Sequence, residues 1–195
     1  MRQTPMDLAT TGLPRGRNIN DPDYPRMVQF SGVLFTTDGT VHGRAQDYIQ
    51  QEDKRTSKSA ENVHGITDTK SRTLGIPEAI AVAWFTNRLK ASEIVTGWAL
   101  PFDLDIIRAA LIRMNKDPLA LIRPGLIKVD LQELMTPIMG KQAEDGSHMW
   151  PKLSESYEHL FSKPVSTAGT EADACREIFM ELHKRGMIEG MEQAA

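Results

Sequence analysis

The chain has 195 residues, 40% of them hydrophobic and 25% charged, and its formal net charge is −3 at pH 7. These values are ordinary for a globular domain with its own core, and the charge excludes binding to nucleic acid through overall basicity. The single cysteine, Cys175, excludes an internal disulfide framework. The most apolar segment, residues 76–85, is too short to span a membrane, and the N-terminus does not resemble a signal peptide. We therefore expect a soluble, cytoplasmic protein.

The first part of the chain predicts a strand, a loop and a β-hairpin. Residues 6–14, MDLATTGLP, indicate a strand end, an acidic residue and a turn. Pro5 lies in this strand and has no N–H for a ladder hydrogen bond, so we expect the strand to be short or irregular. Prolines and turn-forming residues predict a loop over 14–26. The next two apolar segments flank Asp38–Gly39, a pair typical of hairpin turns.

Helices and strands alternate in the rest of the chain. Residues 50–62 are polar and predict an exposed connection. Apolar periodicity then predicts, in order, a helix over 77–92, a strand over 93–100, an amphipathic helix over 102–115, a strand over 126–131, and helices over 150–161 and 170–186.

This order of elements predicts an α/β domain with a mixed sheet. The hairpin supplies antiparallel pairs, and the later crossovers through helices supply parallel ones. We expect a single domain over residues 1–195, with a core of about 4–186 and a short C-terminal tail over 187–195.

Three aspartates fall where a metal site could be built: Asp7 at a strand end, Asp103 at a helix start and Asp173 in the last helix. Hydrolysis of a phosphodiester by two metal ions needs carboxylates that converge from distant segments onto ions about 3.5–4 Å apart. Spacing alone does not identify such a site, because a chain with 26 acidic residues places some of them at strand ends and helix starts.

The segments around these aspartates resemble, in order, the motifs of the DnaQ-like (DEDD) 3′–5′ exonucleases. DLATTGLP is similar to the first motif, usually Asp-x-Glu-Thr-Thr-Gly-Leu, and RMVQFSGVLFTTDGTV to the second strand and hairpin. VHGIT resembles a short signature that follows the hairpin. GWALPFDLDIIRAAL resembles the second motif, often His-Asn-x-x-Phe-Asp, and AGTEADACREIF the third, His-x-Ala-x-x-Asp-Ala followed by a helix. The matches run from residue 6 to about residue 183.

The resemblance implies an RNase H-like fold, in which helices flank a mixed five-stranded sheet and the site lies at the end of the first strand. It also implies removal of nucleotides from the 3′ end of DNA or RNA with one or two Mg²⁺ or Mn²⁺ ions. By their motif positions, the catalytic and metal-binding residues are Asp7, Asp103 and Asp173. The substrate-binding residues are Thr10, Thr11, Gly12, Leu13 and Phe102. Trp98, which follows a strand, could also stack on a base.

The chain departs from these motifs at positions that hold alanine. Ala9 stands where the family has a metal-binding glutamate, and Ala168 where one branch has its histidine base. Trp98 and Ala99 replace the His-Asn pair of the second motif. The other branch has a tyrosine base four residues before the last aspartate, where this chain has Gly169.

These departures weaken the predicted chemistry. Three carboxylates are enough to hold one Mg²⁺ or Mn²⁺ with waters but suit two ions less well. A general base typically contributes roughly 10²–10⁴-fold to the rate. His64 or His148 could supply one from a loop, although a surface histidine needs no such role. Glu171 could substitute as a metal ligand, but its helix position points it away from the side of Asp173.

Two functions therefore stay open for the chain. The first is a metal-dependent 3′–5′ exonuclease whose catalysis is weakened or absent. The alternative is a non-catalytic pseudo-exonuclease that binds nucleic acid or a protein partner. The alanines fit a natural pseudo-nuclease or an enzyme that was deliberately disabled.

The expected partner is a nucleic acid with a 3′ end, single-stranded in preference to double-stranded, with a protein partner possible and no membrane. Arg15, Arg17 and Arg26 could contact its phosphates, although arginines in a polar surface loop need no such role.

Overall fold

A computed structural model describes residues 1–188, so that residues 189–195, most of the predicted tail, lie outside the described residues. The strands are β1 (Arg2–Thr10), β2 (Met27–Thr36), β3 (Val41–Tyr48), β4 (Ile94–Gly97) and β5 (Ile127–Asp130). The α-helices are α1 (Lys58–His64), α2 (Asp68–Leu74), α3 (Glu78–Ala91), α4 (Leu100–Arg113), α5 (Leu131–Met139), α6 (Leu153–Phe161) and α7 (Glu171–Lys184). Within residues 1–188, none of these helices has the length and apolarity to cross a membrane.

The five strands form one sheet in the order β3-β2-β1-β4-β5, which confirms the predicted mixed sheet. β1 pairs antiparallel with β2 and parallel with β4, and β4 pairs parallel with β5. Because β1, β4 and β5 run in one direction, their carboxyl ends meet at the same edge of the sheet. In open α/β sheets this edge is where ligands bind.

The central strand β1 has nine residues, so the expectation of a short strand was wrong. Its register on β2 is the same before and after Pro5, from Gln3↔Phe35 to Met6↔Gly32. The pairing with β2 is interrupted at Thr4 and Pro5, where Pro5 has no N–H to donate to the ladder. A second irregularity is the register shift between Ala9 and Thr10.

Two helical layers cover the sheet. On one face, Met6, Leu8 and Phe30 pack with side chains of α3 and α4. On the other face, Phe35 and Ile94 pack with side chains of α5, α6 and α7 that include Tyr157, Cys175, Ile178 and Phe179. Since Met6 and Leu8 point to the first layer, Asp7 between them points to the layer that contains α7.

Residues 50–62 are not only an exposed connection, because α1 begins inside them at Lys58. The Ser57 side chain accepts a hydrogen bond of 3.2 Å from the Ala60 N–H and starts the helix, and Gly65 ends it with a φ of 69°. α1 has no buried residue, so it carries no apolar period that the sequence could reveal. The helix nevertheless forms one side of a cleft at the carboxyl end of β1.

Candidate functional site

A cleft of about 380 Å³ lies at the carboxyl end of β1. Asp7, Ala9 and the loop after β1 form one side, α1 forms the other, and Glu171 at the start of α7 lies at its base. The cleft thus joins the predicted first motif to residues of α1 and α7 that are distant in sequence. Its volume falls within the range of small-molecule sites in proteins.

Asp7 is half-buried at the base of this cleft. Burial, together with the nearby charge of Glu171, raises the pKa of the Asp7 carboxyl to about 7. The backbone next to Asp7 is fixed on the α7 side, since its β2 partner Ser31 accepts a hydrogen bond of 3.3 Å from the Ala172 N–H. The start of α7 therefore lies directly over the end of β1.

Asp103 lies in the first turn of α4, only 2% exposed, and its Oδ2 atom has no hydrogen-bond partner. Burial raises the pKa of Asp103 well above its ordinary range, and the charges of Asp7 and Asp130 add to the effect. An unpartnered carboxylate oxygen at this depth is costly unless the group is protonated or a cation is nearby. Asp7 and Asp103 are thus close enough to affect each other, and their role as metal ligands stays a prediction.

The turn into α4 has an unusual backbone at Ala99. Its φ of 54° and ψ of 46° lie in the left-handed region, where alanine is disfavoured and asparagine is tolerated. The motif that the segment resembles has asparagine at this position. The backbone conformation thus suits the motif's residue better than the one that is present.

Asp173 is held away from Asp7. One of its carboxylate oxygens accepts a hydrogen bond of 3.0 Å from Arg44 Nε on β3, and the other accepts one of 3.0 Å from the Thr170 hydroxyl. Arg176 lies 3.9 Å from the same carboxylate. Asp173 therefore connects the start of α7 to the outer strand β3, and its role as a metal ligand stays a prediction.

Glu171 occupies the place by Asp7 that was expected for Asp173. It does point away from Asp173, as the sequence indicates, and for that reason it points into the cleft. A sequence signal for this exists. If the alanines of His-x-Ala-x-x-Asp-Ala are matched to Ala168 and Ala172, Glu171 takes the aspartate position and Ser166 the histidine position. The third motif then shifts by two residues, and a base histidine is still missing.

Within residues 1–188, no three histidine, cysteine, aspartate or glutamate side chains are placed so as to hold a metal ion together. Asp7, Asp103 and Glu171 surround the thiol of Cys175, which is fully buried beneath them. Burial and these three charges raise the pKa of the Cys175 thiol well above its ordinary range. The acids are close enough to affect one another, but their oxygens do not converge on one point.

The loop Thr10–Leu13 is tied to its surroundings by hydrogen bonds, and its hydroxyls are engaged within the protein. The Thr10 hydroxyl donates a hydrogen bond of 2.8 Å to the Gly12 carbonyl. The Thr11 hydroxyl accepts one of 3.0 Å from the Arg26 N–H, while the Thr11 carbonyl accepts one of 2.8 Å from the Ser57 N–H. Thr10 and Thr11 thus shape the loop, and contact between their hydroxyls and substrate stays a prediction.

Two apolar side chains face solvent across the mouth of the cleft. Leu13 on the loop after β1 is 84% exposed, and Val63 on α1 is 87% exposed. Both line the cleft that contains Asp7. Such exposed branched side chains on opposite walls can hold a flat, partly apolar group between them.

His64 is not free to act as a base. Its Nδ1 atom accepts a hydrogen bond of 3.0 Å from the Ile66 N–H, so the proton of the neutral ring is on Nε2. Nε2 then donates a hydrogen bond of 3.1 Å to the Thr10 carbonyl. His148, the other candidate base, lies in an exposed bridge with Gln142 and does not line the cleft.

The two predicted aromatic contacts lie outside the cleft lining. Trp98 packs against the core on the α7 side of the sheet, and Phe102 packs against the core on the α3 and α4 side. Their contact with substrate stays a prediction.

Several solved structures share this architecture. A product-bound structure of exonuclease I matches 94% of the chain with a TM-score of 0.76 at 19% sequence identity. Escherichia coli exonuclease I in complex with a dA16 oligonucleotide matches it with a TM-score of 0.74 at 20% identity, and an exonuclease I/SSB-Ct complex with 0.75 at 20%. The match covers 43% of the first of these proteins and 41% of the other two, so the chain spans about two fifths of their length.

No family model matches the chain, and no curated protein matches it in sequence. The structural likeness therefore establishes the fold: a mixed five-stranded sheet flanked by helices, an RNase H-like fold similar to that of exonuclease I.

Proposed function

We propose that the chain binds the 3′ end of a single-stranded nucleic acid in the cleft at the end of β1, as an exonuclease-type protein with weakened catalysis. The observation that carries the proposal is the pair of aspartates, Asp7 and Asp103, brought together from distant segments beside a cleft with exposed apolar walls. Perturbed carboxylates in a cleft are typical of functional sites.

The carboxylates suit a divalent cation. The Oδ2 atom of Asp103 is buried without a partner, and burial together with neighbouring carboxylates raises the pKa values of Asp7 and Asp103. Mg²⁺ is usually held by one or two carboxylates with waters and substrate phosphates. Asp7 and Asp103 would hold it, with Glu171 beside them. When bound, the ion polarises the scissile phosphate and stabilises the leaving 3′ oxygen.

The apolar walls position the terminal nucleotide. Leu13 and Val63 contact the faces of the base and sugar from opposite sides. The loop Thr10–Leu13 sets the position of the Leu13 backbone relative to Asp7, because Thr11 is hydrogen-bonded to both Arg26 and Ser57. The reacting phosphate then lies over the carboxylates rather than over the apolar walls.

Catalysis is weakened because neither motif position for the general base, Ala168 or Gly169, has a side chain that accepts a proton. Ala9 and Ala168 cannot accept a proton, and both ring nitrogens of His64 are engaged. Loss of a general base lowers the rate by roughly 10²–10⁴-fold. The same observation favours the second candidate function, a non-catalytic protein that binds 3′ ends and leaves them intact.

A cleavage time course separates the two candidates. Single-stranded DNA and RNA oligonucleotides labelled at the 5′ end are incubated with Mn²⁺, with EDTA and with the variant Asp103→Asn. Shortening from the 3′ end that EDTA and Asp103→Asn both abolish supports a slow exonuclease. Tight binding of the oligonucleotides without shortening supports the binding protein, and no binding at all contradicts both.

Ala9 provides a gain-of-function variant for the same assay. Its side chain lines the cleft next to Asp7, so Ala9→Glu adds a carboxylate where a second ion needs one. We expect a rate at least about tenfold higher than that of the unmodified chain, since a metal ligand typically contributes at least that much. The same substitution at Ala60 across the cleft serves as a control, and equal rates for the two variants would contradict the placement of the first motif.

A further inference from the structure

We propose that a second, basic pocket beside the cleft binds the phosphodiester groups of the same strand, upstream of its 3′ end. This inference rests on the proposed function and deepens it, because it assigns a place to the nucleotides that precede the terminal one. It concerns residues that lie outside the motifs of the resemblance.

The basic pocket has a volume of about 430 Å³ and is contiguous with the cleft. Gly12, Leu13 and Ser59 line both. The rest of the basic pocket comes from the loop after β1 and from the segment that leads into α1, including Arg15, Lys54 and Arg55. A strand that leaves the cleft over Gly12 and Leu13 therefore enters the basic pocket directly.

Positive charge is concentrated in this pocket, although the whole chain has a net charge of −3. Arg15, Lys54 and Arg55 line it together with one carboxylate, Asp23. Lys54 donates a hydrogen bond of 2.7 Å to that carboxylate, so its charge is locally compensated. Lys54 first and Arg15 to a smaller extent lower the pKa of Asp23, so the excess positive charge of the pocket is carried mainly by Arg15 and Arg55.

Arg15 and Arg55 are exposed, and neither forms a salt bridge with any residue in the range 1–188. Other basic side chains close by are engaged: Arg26 lies 3.5 Å from Asp53, and Lys58 lies 3.2 Å from Glu61. A guanidinium group without a partner presents a planar set of donors that matches two phosphate oxygens. The two free arginines are therefore the groups available to an anion.

Hydroxyl groups and a fixed backbone complete the pocket. Ser57 and Ser59 line it with their hydroxyl oxygens 3.1 Å apart, and hydroxyls commonly donate to phosphate oxygens. Thr11 also lines the pocket, and its hydrogen bonds to Arg26 and Ser57 hold the backbone of the pocket in place. The pocket is thus formed before a ligand arrives.

The charges of the two regions assign a direction to the strand. The cleft contains the acidic residues Asp7 and Glu171, which repel phosphates when no cation is present. The basic pocket attracts phosphates without a metal. The terminal nucleotide and its reacting phosphate thus belong in the cleft, and the preceding phosphates belong in the basic pocket, as in other proteins that bind single strands along a cationic groove.

The test is a binding titration by fluorescence anisotropy at several salt concentrations. The probes are single-stranded oligonucleotides of two and ten nucleotides, with phosphorothioate linkages at the 3′ end so that hydrolysis in Mg²⁺ does not consume them. The variant is Arg15→Ala with Arg55→Ala. The matched control is Lys90→Ala with Lys116→Ala, which removes two exposed positive charges from a pocket beyond the C-terminal end of α4.

For the ten-nucleotide probe, we expect the arginine variant to bind at least about tenfold more weakly at 50 mM salt, with a salt slope about 1.4 smaller. For the two-nucleotide probe it should bind like the unmodified chain, and the lysine variant should match the unmodified chain with both probes. If the arginine variant keeps the affinity and slope of the unmodified chain for the longer probe, this inference is overturned and the proposed function stands. If the unmodified chain binds neither probe, the proposed function fails first.

Discussion

The two acidic regions at the start of α7 differ in how their charge is compensated. Asp173 has Arg44, Arg176 and the Thr170 hydroxyl around it. Asp7 and Asp103 instead have carboxylates as charged neighbours, and burial together with those neighbours raises their pKa values. Native structures rarely leave buried charge uncompensated without a function for it. The comparison favours the acids without a positive partner, Asp7 and Asp103, over Asp173 as the centre of the proposed site.

The largest expected effect comes from neutralising the uncompensated charge. An acid whose pKa is raised in the folded protein binds more protons there than in the unfolded chain, so stability falls as pH rises from about 4 to about 7. In EDTA, Asp7→Asn should remove this loss and raise the free energy of unfolding at pH 8 by up to about 4 kcal/mol. Urea denaturation of both proteins at pH 4.5 and pH 8 measures it. An unchanged difference between the two pH values would show that Asp7 is already compensated.

Removal of Asp173, the acid with positively charged partners, should lower the free energy of unfolding rather than raise it. Asp173→Ala leaves Arg44 without its carboxylate and deletes the contact to β3, while Arg176 keeps Glu177, so we expect a loss of about 2 kcal/mol, below the range for fully buried pairs because Arg44 is half exposed. The same urea titration at pH 7 measures it. Glu171→Gln is the matched control two residues away, and it should not destabilise the protein. Equal losses for both variants would remove the distinction between the two regions.

A divalent cation should stabilise the protein through Asp7 and Asp103 and not through Asp173. If Mg²⁺ binds at a concentration tenfold above its dissociation constant, it stabilises the folded chain by about 1.4 kcal/mol. Calorimetric melting in Mg²⁺ and in EDTA should show this gain for the unmodified chain and for Asp173→Asn. The gain should vanish in Asp103→Asn. A gain that vanishes only in Asp173→Asn would mean that Asp173 is a metal ligand, as the sequence indicates.

The smallest expected effect concerns the backbone beside Asp103. Ala99 has a φ of 54°, a conformation that asparagine and glycine adopt at lower cost than alanine. Ala99→Asn should therefore stabilise the protein by about 0.5–1 kcal/mol. Thermal melting of this variant and of Ala99→Gly measures the gain. Destabilisation by both would mean that the left-handed turn is absent in solution.

Much of the fold could be predicted because its elements carry strong local signals. Asp38–Gly39 marks the hairpin of β2 and β3, and the apolar stripes of α4 and α7 have clear helical periods. α1 and α2 could not be predicted in this way. α1 buries no residue and α2 buries only Ser71, so both depend on capping by Ser57 and Thr67 rather than on an apolar period.

The site was predictable only in part, for a geometric reason. Asp7 and Asp103 follow from a strand end and a helix start, and the structure brings them together. The third acid depends on the rotation of α7 about its axis. Glu171 and Asp173 lie on opposite edges of one apolar stripe, and only the sheet decides which edge faces β1 and which faces β3. Periodicity in the sequence cannot supply that choice.

The rate at which the fully buried thiol of Cys175 is labelled can report on motion of the protein. Its raised pKa keeps it protonated in the folded state, and its position under Asp7, Asp103 and Glu171 shields it from reagents. Alkylation requires an opening that exposes the thiol, such as separation of α7 from β1, so the labelling rate measures how often such an opening occurs. A cation or a nucleic-acid strand that bridges the two elements must slow the labelling. The alkylation rate of this one native residue therefore measures occupancy of the site, and no added probe group is needed.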